Sequence, residues 1–204
     1  MIRIHNFLRG ARGVRVFWVC EEMGVPYDTA PVTFPPSEAY LALNPLGSVP
    51  FLEDEGVAIN ESVAMMLYVA QRYGPTPLLP ASDDPDLAAV LQLTVFSEAS
   101  FGGIMNPLMG AHFGAPAGDK QNWSVRMMQA RADQFVGYLA DKLGDRPFLV
   151  GDDLTLADIA LCTGLGIWKG ALNGTIPDNL AAWRERLAER PAYQRAQKAQ
   201  APQS

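Results

Sequence analysis

The sequence predicts a small α/β domain followed by an all-helical domain. In the first third of the chain, strand-like segments, in which apolar and polar residues alternate, are interspersed with segments whose apolar residues have helical spacing. Four prolines then fall within residues 74–85, which indicates a stiff linker. Beyond the linker, apolar residues recur only at helical spacing. We therefore expect one domain at residues 1–74, a linker at 75–85 and a helical domain at 86–204.

The first elements are a strand and a helix. Residues 2–7 alternate apolar and polar side chains, as a half-buried strand does. The next segment has one apolar face of helical spacing, formed by Val16, Val19, Cys20 and Met23. Gly24 and the nearby Pro26 predict that this helix ends there.

A second strand and a hairpin complete the predicted sheet. Residues 27–33 form the second strand and residues 37–43 a short helix. Residues 50–53 and 57–59 flank Asp54-Glu55-Gly56, a hairpin signal, and an apolar helix follows. The order strand–helix–strand–helix–strand–strand–helix is that of a thioredoxin-like domain, with a parallel pair and an antiparallel hairpin in one sheet.

Composition excludes several classes of protein. Hydrophobic residues make up 49% and charged residues 19%, a mixture typical of a globular chain rather than a disordered one. The net charge of −6 argues against a nucleic-acid partner. Only two cysteines occur, Cys20 and Cys162, and both lie in apolar helical patterns, which predicts reduced, buried thiols. We see no leader and no apolar run long enough for a bilayer, so we expect a cytoplasmic protein without a membrane partner.

The strongest local signal joins a proline-led strand to a helix start. A turn at residues 44–47 precedes Val49–Pro50, and we expect a cis peptide bond there, which would turn the amide and carbonyl of Val49 outward to pair with an extended peptide. Downstream, Glu61 and Ser62 begin a helix, where backbone amides bind a carboxylate and the Glu61 side chain meets an ammonium. Taken alone, a Val-Pro pair is usually just the start of a strand, and a Glu-Ser pair at a helix start is usually just a helix cap. Together they predict a site for a peptide with an amino-acid head.

Several motifs resemble the cytosolic glutathione transferase superfamily, in particular the bacterial-type glutathione S-transferases. They are Arg15-Val16 with Trp18, Glu21 to Tyr27, Asn44 to Asp54, Glu61 to Ala64 with Tyr68, Phe148 to Gly151, Leu154 to Ile159 and Arg190 to Tyr193. The resemblance spans essentially the whole chain. It implies a thioredoxin-like domain with a helical second domain, a homodimer, glutathione as cosubstrate and a role in detoxification.

The resemblance also implies roles for particular residues. Val49, with Pro50, is expected to bind the cysteinyl backbone of glutathione. Glu61 and Ser62 are expected to hold its γ-glutamyl end, and Ser48 to lie near its polar edge. Many relatives carry lysine or glutamine at the position of Ser48.

The position of the family's activating hydroxyl or thiol is empty. Alignment on the shared motifs places the family's usual serine or cysteine at Gly10. In bacterial-type members with a Ser-Arg pair, the serine falls on Ala11 and the arginine on Arg12. Other classes of the superfamily use a tyrosine as the activating residue, and its position falls near Asn6 or Phe7. The first 19 residues contain no serine, cysteine or tyrosine.

Arg12 is our candidate for the missing activating group. Its guanidinium and the backbone amides of Gly10, Ala11 and Arg12 would stabilise the thiolate of glutathione at the helix start. The alternative is that Arg9, Arg12 and Arg15 are solvated or bridge to carboxylates. The sequence leaves both open.

The second substrate is expected between the domains. Phe101, Met105 and Met109 recur every four residues and predict an adaptable apolar wall, with His112 as a polar neighbour. These residues fit a helix core equally well. His5 and His112 lack partners at ligand spacing, so we expect no metal site.

We therefore expect an enzyme that conjugates glutathione to a small apolar electrophile. A glutathione-dependent peroxidase or disulfide reductase is a second interpretation. A non-catalytic glutathione-binding or scaffold protein is a third, which the missing hydroxyl favours and the two intact binding motifs oppose.

Overall fold

The computed structural model describes residues 1–8 and 12–200. By its contacts the chain forms two compact units. The first unit comprises Met1–Ala81 together with the chain from Ala188 onward, and the second comprises Ser82–Leu187.

Within the described residues, the first unit is built on a four-stranded sheet. Its strands are β1 (Ile2–Phe7), β2 (Tyr27–Val32), β3 (Phe51–Asp54) and β4 (Val57–Ile59). They lie in the order β2–β1–β3–β4; β1 and β2 are parallel, and β3 is antiparallel to both of its neighbours. This topology confirms the predicted thioredoxin-like arrangement.

The hairpin between β3 and β4 turns at Glu55 and Gly56. Their φ angles are 47° and 88°, so both central residues of the two-residue loop have positive φ. Two-residue hairpin turns with this geometry match the twist of the strands and favour glycine at the second position. The predicted hairpin is therefore confirmed.

Three helices belong to the amino-terminal part of the first unit. They are α1 (Val14–Met23), α2 (Glu38–Leu43) and α3 (Ser62–Arg72). Helix α1 ends at Gly24, which is left-handed with φ of 65°, as the sequence predicts. Ser37 caps the start of α2, and its hydroxyl accepts a hydrogen bond from the amide of Tyr40.

The last helix, α9 (Pro191–Ala199), packs against α1. Nε and Nη2 of Arg190 donate to the two carboxylate oxygens of Glu22 at 2.6 and 2.8 Å, and Nε1 of Trp18 donates to the same carboxylate at 2.8 Å. The ring of Trp18 meets that of Tyr193 edge to face, with centroids 4.7 Å apart. The contacts thus group α9 with the first unit, whereas the sequence analysis assigned all of 86–204 to the helical domain.

Replacing Glu22 by glutamine is expected to lower the free energy of unfolding at pH 7 by about 1–2 kcal/mol, because a charge-assisted double hydrogen bond is lost. Burial opposes ionisation of Glu22, but the hydrogen bonds from Arg190 and Trp18 outweigh it and hold its pKa below the ordinary value. A depressed pKa contributes stability above about pH 4.3, and that contribution disappears as the pH falls through the folded-state pKa.

The check is urea unfolding of the wild type and Glu22→Gln between pH 3 and pH 7, with exposed Glu185→Gln as the control. We expect the difference from wild type to shrink towards pH 3 for Glu22→Gln and to stay near zero for Glu185→Gln. A difference at Glu22 that is independent of pH contradicts the ion pair.

The second unit is helical in its described residues. Its elements are α4 (Leu87–Phe96), a π-helical turn (Ser97–Gly102), α5 (Gly103–Gly114), α6 (Trp123–Leu143), α7 (Leu156–Leu172) and α8 (Asp178–Ala188). Helix α7 is the core element, since most of its residues from Leu156 to Leu165 are fully buried. Together with the sheet of the first unit, this confirms the predicted fold class.

A capping box begins α7. The Asp158 carboxylate accepts the backbone amide and the hydroxyl of Thr155 at 3.0 and 2.9 Å. It also accepts the amide of Leu149 at 2.9 Å, so it fixes the preceding loop to the helix. Burial raises the pKa of Asp158 despite these hydrogen bonds.

The helical run Leu87–Gly114 is long and apolar enough to cross a membrane by length and composition, with a mean hydropathy of 1.4 over its best window. This differs from the expectation that the chain contains no such run, because the π-helical turn joins α4 and α5 without a break. Its Phe101 packs on Trp168 of α7, with ring centroids 6.2 Å apart. That contact is typical of a core helix of a folded unit.

Both cysteines are buried and free, which confirms their prediction as core residues. Burial raises the pKa of the Cys20 and Cys162 thiols to about 12 in each case. A thiol with so high a pKa is protonated at neutral pH and is a poor nucleophile.

Candidate functional site

The Val49–Pro50 peptide bond is cis, as the sequence predicts. The loop before it is held by two side chains of the α2 region. The carbonyl of Ser48 accepts hydrogen bonds from the hydroxyl of Tyr40 at 2.6 Å and from Nδ2 of the buried Asn44 at 2.9 Å. Pro50 is buried and Val49 half-buried, so the loop is fixed while its outer edge stays accessible.

A direct hydrogen bond connects this loop to the start of α3. The hydroxyl of Ser48 donates to Oδ1 of Asn60 at 3.2 Å. Asn60 immediately precedes Glu61, so the cis-proline loop and the helix start lie side by side in the first unit. The structure thus brings together Ser48, Val49, Glu61 and Ser62, which the sequence placed in one site.

Glu61 has an unusual backbone conformation. Its φ is 71° and its ψ is 108°, in a region that residues with a side chain rarely occupy. Its carbonyl accepts the amide of Met65 at 3.0 Å, whereas its exposed side chain makes no capping hydrogen bond to α3. Such strained residues cluster at binding sites, and this one presents a carboxylate to solvent at a helix start.

The hydroxyl of Ser62 is hydrogen-bonded to a buried arginine. Its hydroxyl accepts a hydrogen bond from Nη1 of Arg15 at 3.2 Å, and Arg15 is fully buried in α1. A buried guanidinium beside the first turn of α3 adds positive charge to the helix terminus, which favours an anionic ligand. Arg15 is therefore not solvated, whereas one of the two open interpretations of the sequence had it solvated or bridging to a carboxylate.

Arg12 lies two residues before Val14, the first residue of α1. It is half-buried, and its carbonyl accepts the amide of Arg15 at 3.1 Å. Gly13 follows as the N-terminal capping residue and has no side chain to cap the helix. Gly10 and Ala11, the other predicted thiolate-binding residues, lie outside the described residues.

The four residues predicted to contact the second substrate differ in exposure. Phe101 and Met105 are fully buried. Met109 is half-buried, and His112 is exposed with its ring 4.7 Å from that of Phe113. The burial of Phe101 and Met105 corresponds to the helix-core interpretation. Met109 and His112 remain accessible on α5.

Among residues 1–8 and 12–200, no three histidine, cysteine, aspartate or glutamate side chains come together as a group that could hold a metal ion. The imidazole of His5 lies 2.7 Å from the carboxylate of Glu53, and its ring is tilted against Tyr40 and Phe51.

Two family models match the chain. Residues 12–72 match the glutathione S-transferase N-terminal domain, and residues 103–195 match the C-terminal domain. A relative from Zea mays, glutathione S-transferase 3, is 30% identical over 204 residues, which cover 89% of this chain and 86% of the relative. The chain belongs to the glutathione S-transferase family.

Solved structures of this family have the same fold. The theta class glutathione S-transferase of Xanthomonas axonopodis pv. citri, with glutathione bound, aligns with a TM-score of 0.79 and 27% identity over 96% of each chain. A glutathione transferase of Methylococcus capsulatus str. Bath aligns with a TM-score of 0.84 and 25% identity over 98% of each chain. The N-terminal family model covers Arg12, Ser48 to Pro50 and the start of α3, and it begins after Gly10 and Ala11.

Proposed function

We propose that this chain binds glutathione and conjugates it to a small apolar electrophile. The observation that carries the proposal is the hydrogen bond between Ser48 and Asn60, which sets the cis-proline loop beside the start of α3. The backbone of Val49 pairs with the cysteinyl residue of glutathione, as one strand residue pairs with another. Glu61 binds the ammonium of the γ-glutamyl group, and Ser62 with the α3 amides binds its carboxylate.

The chemical step needs an ionised sulfur. A free thiol with a pKa of about 8.5 is only about 3% thiolate at pH 7, and lowering the pKa by about two makes most of it anionic. Arg12 beside the start of α1 supplies positive charge, and the thiol proton passes to solvent. The thiolate then attacks the electrophilic carbon, a C–S bond forms, and the leaving group departs with its bonding electron pair.

The electrophile is proposed to contact α5. Met109 of the predicted wall and its polar neighbour His112 are accessible, and they offer one flexible apolar side chain and one polar ring. Together they suit an apolar compound with a polar substituent.

We also infer a homodimer that works in the cytoplasm. Large apolar side chains are exposed on the helical unit, including Val95, Trp123, Met127 and Tyr138. Such a surface supports association between copies. Light scattering coupled to gel filtration tests this directly, and a mass of one chain at micromolar concentration contradicts it.

The test of function combines binding with turnover. Glutathione affinity is measured by calorimetry, and turnover with a chlorinated aromatic, an organic peroxide and a mixed disulfide. We expect binding together with conjugation of the chlorinated aromatic. If the chain binds glutathione but turns over only the peroxide or only the disulfide, it is a glutathione-dependent peroxidase or disulfide reductase and not a conjugating enzyme. Binding without turnover of any substrate indicates a non-catalytic protein, and no binding refutes the proposal.

Replacing Arg12 by alanine is expected to raise the pKa of the bound glutathione thiol by about one or more, because a hydrogen bond or close charge to an anion contributes about 1.5–3 kcal/mol. The thiolate absorbance of the complex, titrated with pH, measures this pKa. Exposed Arg3→Ala in β1 is the matched control, since it removes the same charge from the same unit. Equal pKa values in the two variants contradict the role of Arg12.

A further inference from the structure

A long segment of the first unit carries no basic side chain. No lysine, arginine or histidine occurs between Arg15 and Arg72, although the same stretch contains eight aspartate and glutamate residues. The segment includes β2, α2, β3, β4 and α3 up to its last residue, and it therefore supplies most of the proposed glutathione site. Because like charges repel, this part of the unit disfavours a carboxylate at the glycyl end of the ligand.

The strand order shows where that glycyl end lies. The carboxyl ends of β1 and β2 meet the amino end of β3 at one edge of the sheet, and β4 ends at the same edge. Along this edge the order is β2–β1–β3–β4, with the start of α3 following β4. A peptide with its γ-glutamyl group at Glu61 and its cysteinyl residue at Val49 therefore continues across β1 towards β2. Its third residue comes to lie beside Phe7 and the loop after β2.

An exposed aromatic ring stands at this place. Phe7 and Val49 pack against the same buried cluster, so the end of β1 and the cis-proline loop are neighbours. The ring of Phe34, in the loop between β2 and α2, meets the ring of Phe7 edge to face, with centroids 5.7 Å apart. Nevertheless, 85% of Phe34 is exposed. A ring that is supported on one side and open on the other offers a face to a ligand.

The polar side chains described around this ring suit a cation better than a carboxylate. The hydroxyl of Ser48 donates to Oδ1 of Asn60 at 3.2 Å, which directs it towards the start of α3. Two prolines follow Phe34, and the next charged side chain is the exposed carboxylate of Glu38 at the start of α2. An aromatic face together with a carboxylate is a combination that binds an alkylammonium.

We propose that this site prefers, over glutathione itself, glutathione whose glycyl carboxyl is joined in amide linkage to an aliphatic polyamine. The inference rests on the proposed function and specifies its thiol cosubstrate. The amide linkage removes the carboxylate for which residues 16–71 contain no cation. The methylene groups of the amine lie against Phe34, and its ammonium meets the face of that ring and the carboxylate of Glu38.

The test compares three ligands by calorimetry. They are glutathione, its butylamide and its 4-aminobutylamide, which differs from the butylamide by the terminal ammonium. We expect the aminobutylamide to bind at least about fivefold more tightly than glutathione, because a repelled carboxylate is replaced by a cation that contacts an aromatic ring and a carboxylate. The butylamide should lie between the two.

Two variants locate the subsite. Phe34→Ala and Glu38→Gln should each weaken binding of the aminobutylamide about twofold to fivefold and binding of glutathione by less, so that the preference shrinks. The matched control is Asp28→Asn, which removes an exposed charge of the same unit. Asp28 pairs with Arg3 at the opposite edge of the sheet, so this variant should keep the wild-type preference.

The outcomes are distinct. A wild-type protein that binds none of the three ligands refutes the proposed function, and this inference with it. If glutathione binds as tightly as the aminobutylamide or more tightly, the inference alone is overturned. A preference that persists in both Phe34→Ala and Glu38→Gln also overturns it, since the ammonium then binds elsewhere. A butylamide that binds more weakly than glutathione overturns it as well, because a cation such as Arg9, which lies outside the described residues, then recognises the glycyl carboxylate.

Discussion

Replacing Asp158 by alanine is expected to lower the free energy of unfolding by about 3–5 kcal/mol. The change leaves the amides of Thr155 and Leu149 and the hydroxyl of Thr155 without an acceptor in a fully buried place. Each buried donor that loses its partner costs about 1–3 kcal/mol, and removal of the desolvated carboxylate offsets part of the sum.

Urea unfolding measures this loss as a lower transition midpoint. The matched control is Asp153→Ala, an exposed carboxylate in the loop just before α7, which should change stability by less than about 0.5 kcal/mol. If both variants unfold at the same urea concentration, the capping box does not stabilise the helical unit as described.

Replacing Glu61 by alanine is expected to weaken glutathione binding about tenfold to a hundredfold. The carboxylate of Glu61 is exposed and makes no capping hydrogen bond, so it is available to the ligand's ammonium. A hydrogen bond to a charged partner contributes about 1.5–3 kcal/mol, which corresponds to this range. Calorimetric titration with glutathione provides the measurement.

Glu61→Gly separates the role of the side chain from that of the backbone. Glycine tolerates a φ of 71° that alanine does not, so the glycine variant should be more stable than Glu61→Ala by about 1 kcal/mol, after the greater flexibility of unfolded glycine is subtracted. Both variants should lose affinity equally. A glycine variant with restored affinity, or with lower stability than the alanine variant, contradicts this assignment.

Local chemistry made much of the first unit predictable. Gly24 ends α1 and Gly56 turns the hairpin because each has a positive φ that glycine adopts without strain. The cis bond before Pro50 is likewise encoded within a few residues of sequence, and so is the capping box at Asp158 in the second unit. Of these short-range patterns, the one at Pro50 specifies the cis-proline loop of the candidate site.

Long-range contacts were not predictable in the same way. Arg15 interrupts an apolar helical run, and this is a signal of a buried charge, but nothing nearby in sequence identifies Ser62 as its acceptor. The same holds for Glu22 and Arg190, which meet across 168 positions and bring α9 to the first unit. Apolar spacing could not separate core from surface along α5, so Phe101 and Met105 fitted a ligand wall and a helix core equally well.

The most direct measurement is the affinity of the wild-type chain for glutathione compared with the dipeptide cysteinylglycine, which lacks the γ-glutamyl group. If Glu61 and Ser62 hold that group beside the cis-proline loop, glutathione should bind at least about a hundredfold more tightly, and Glu61→Ala should remove most of the difference. Equal affinity for the two peptides, or no binding of either, would contradict a glutathione site at these residues.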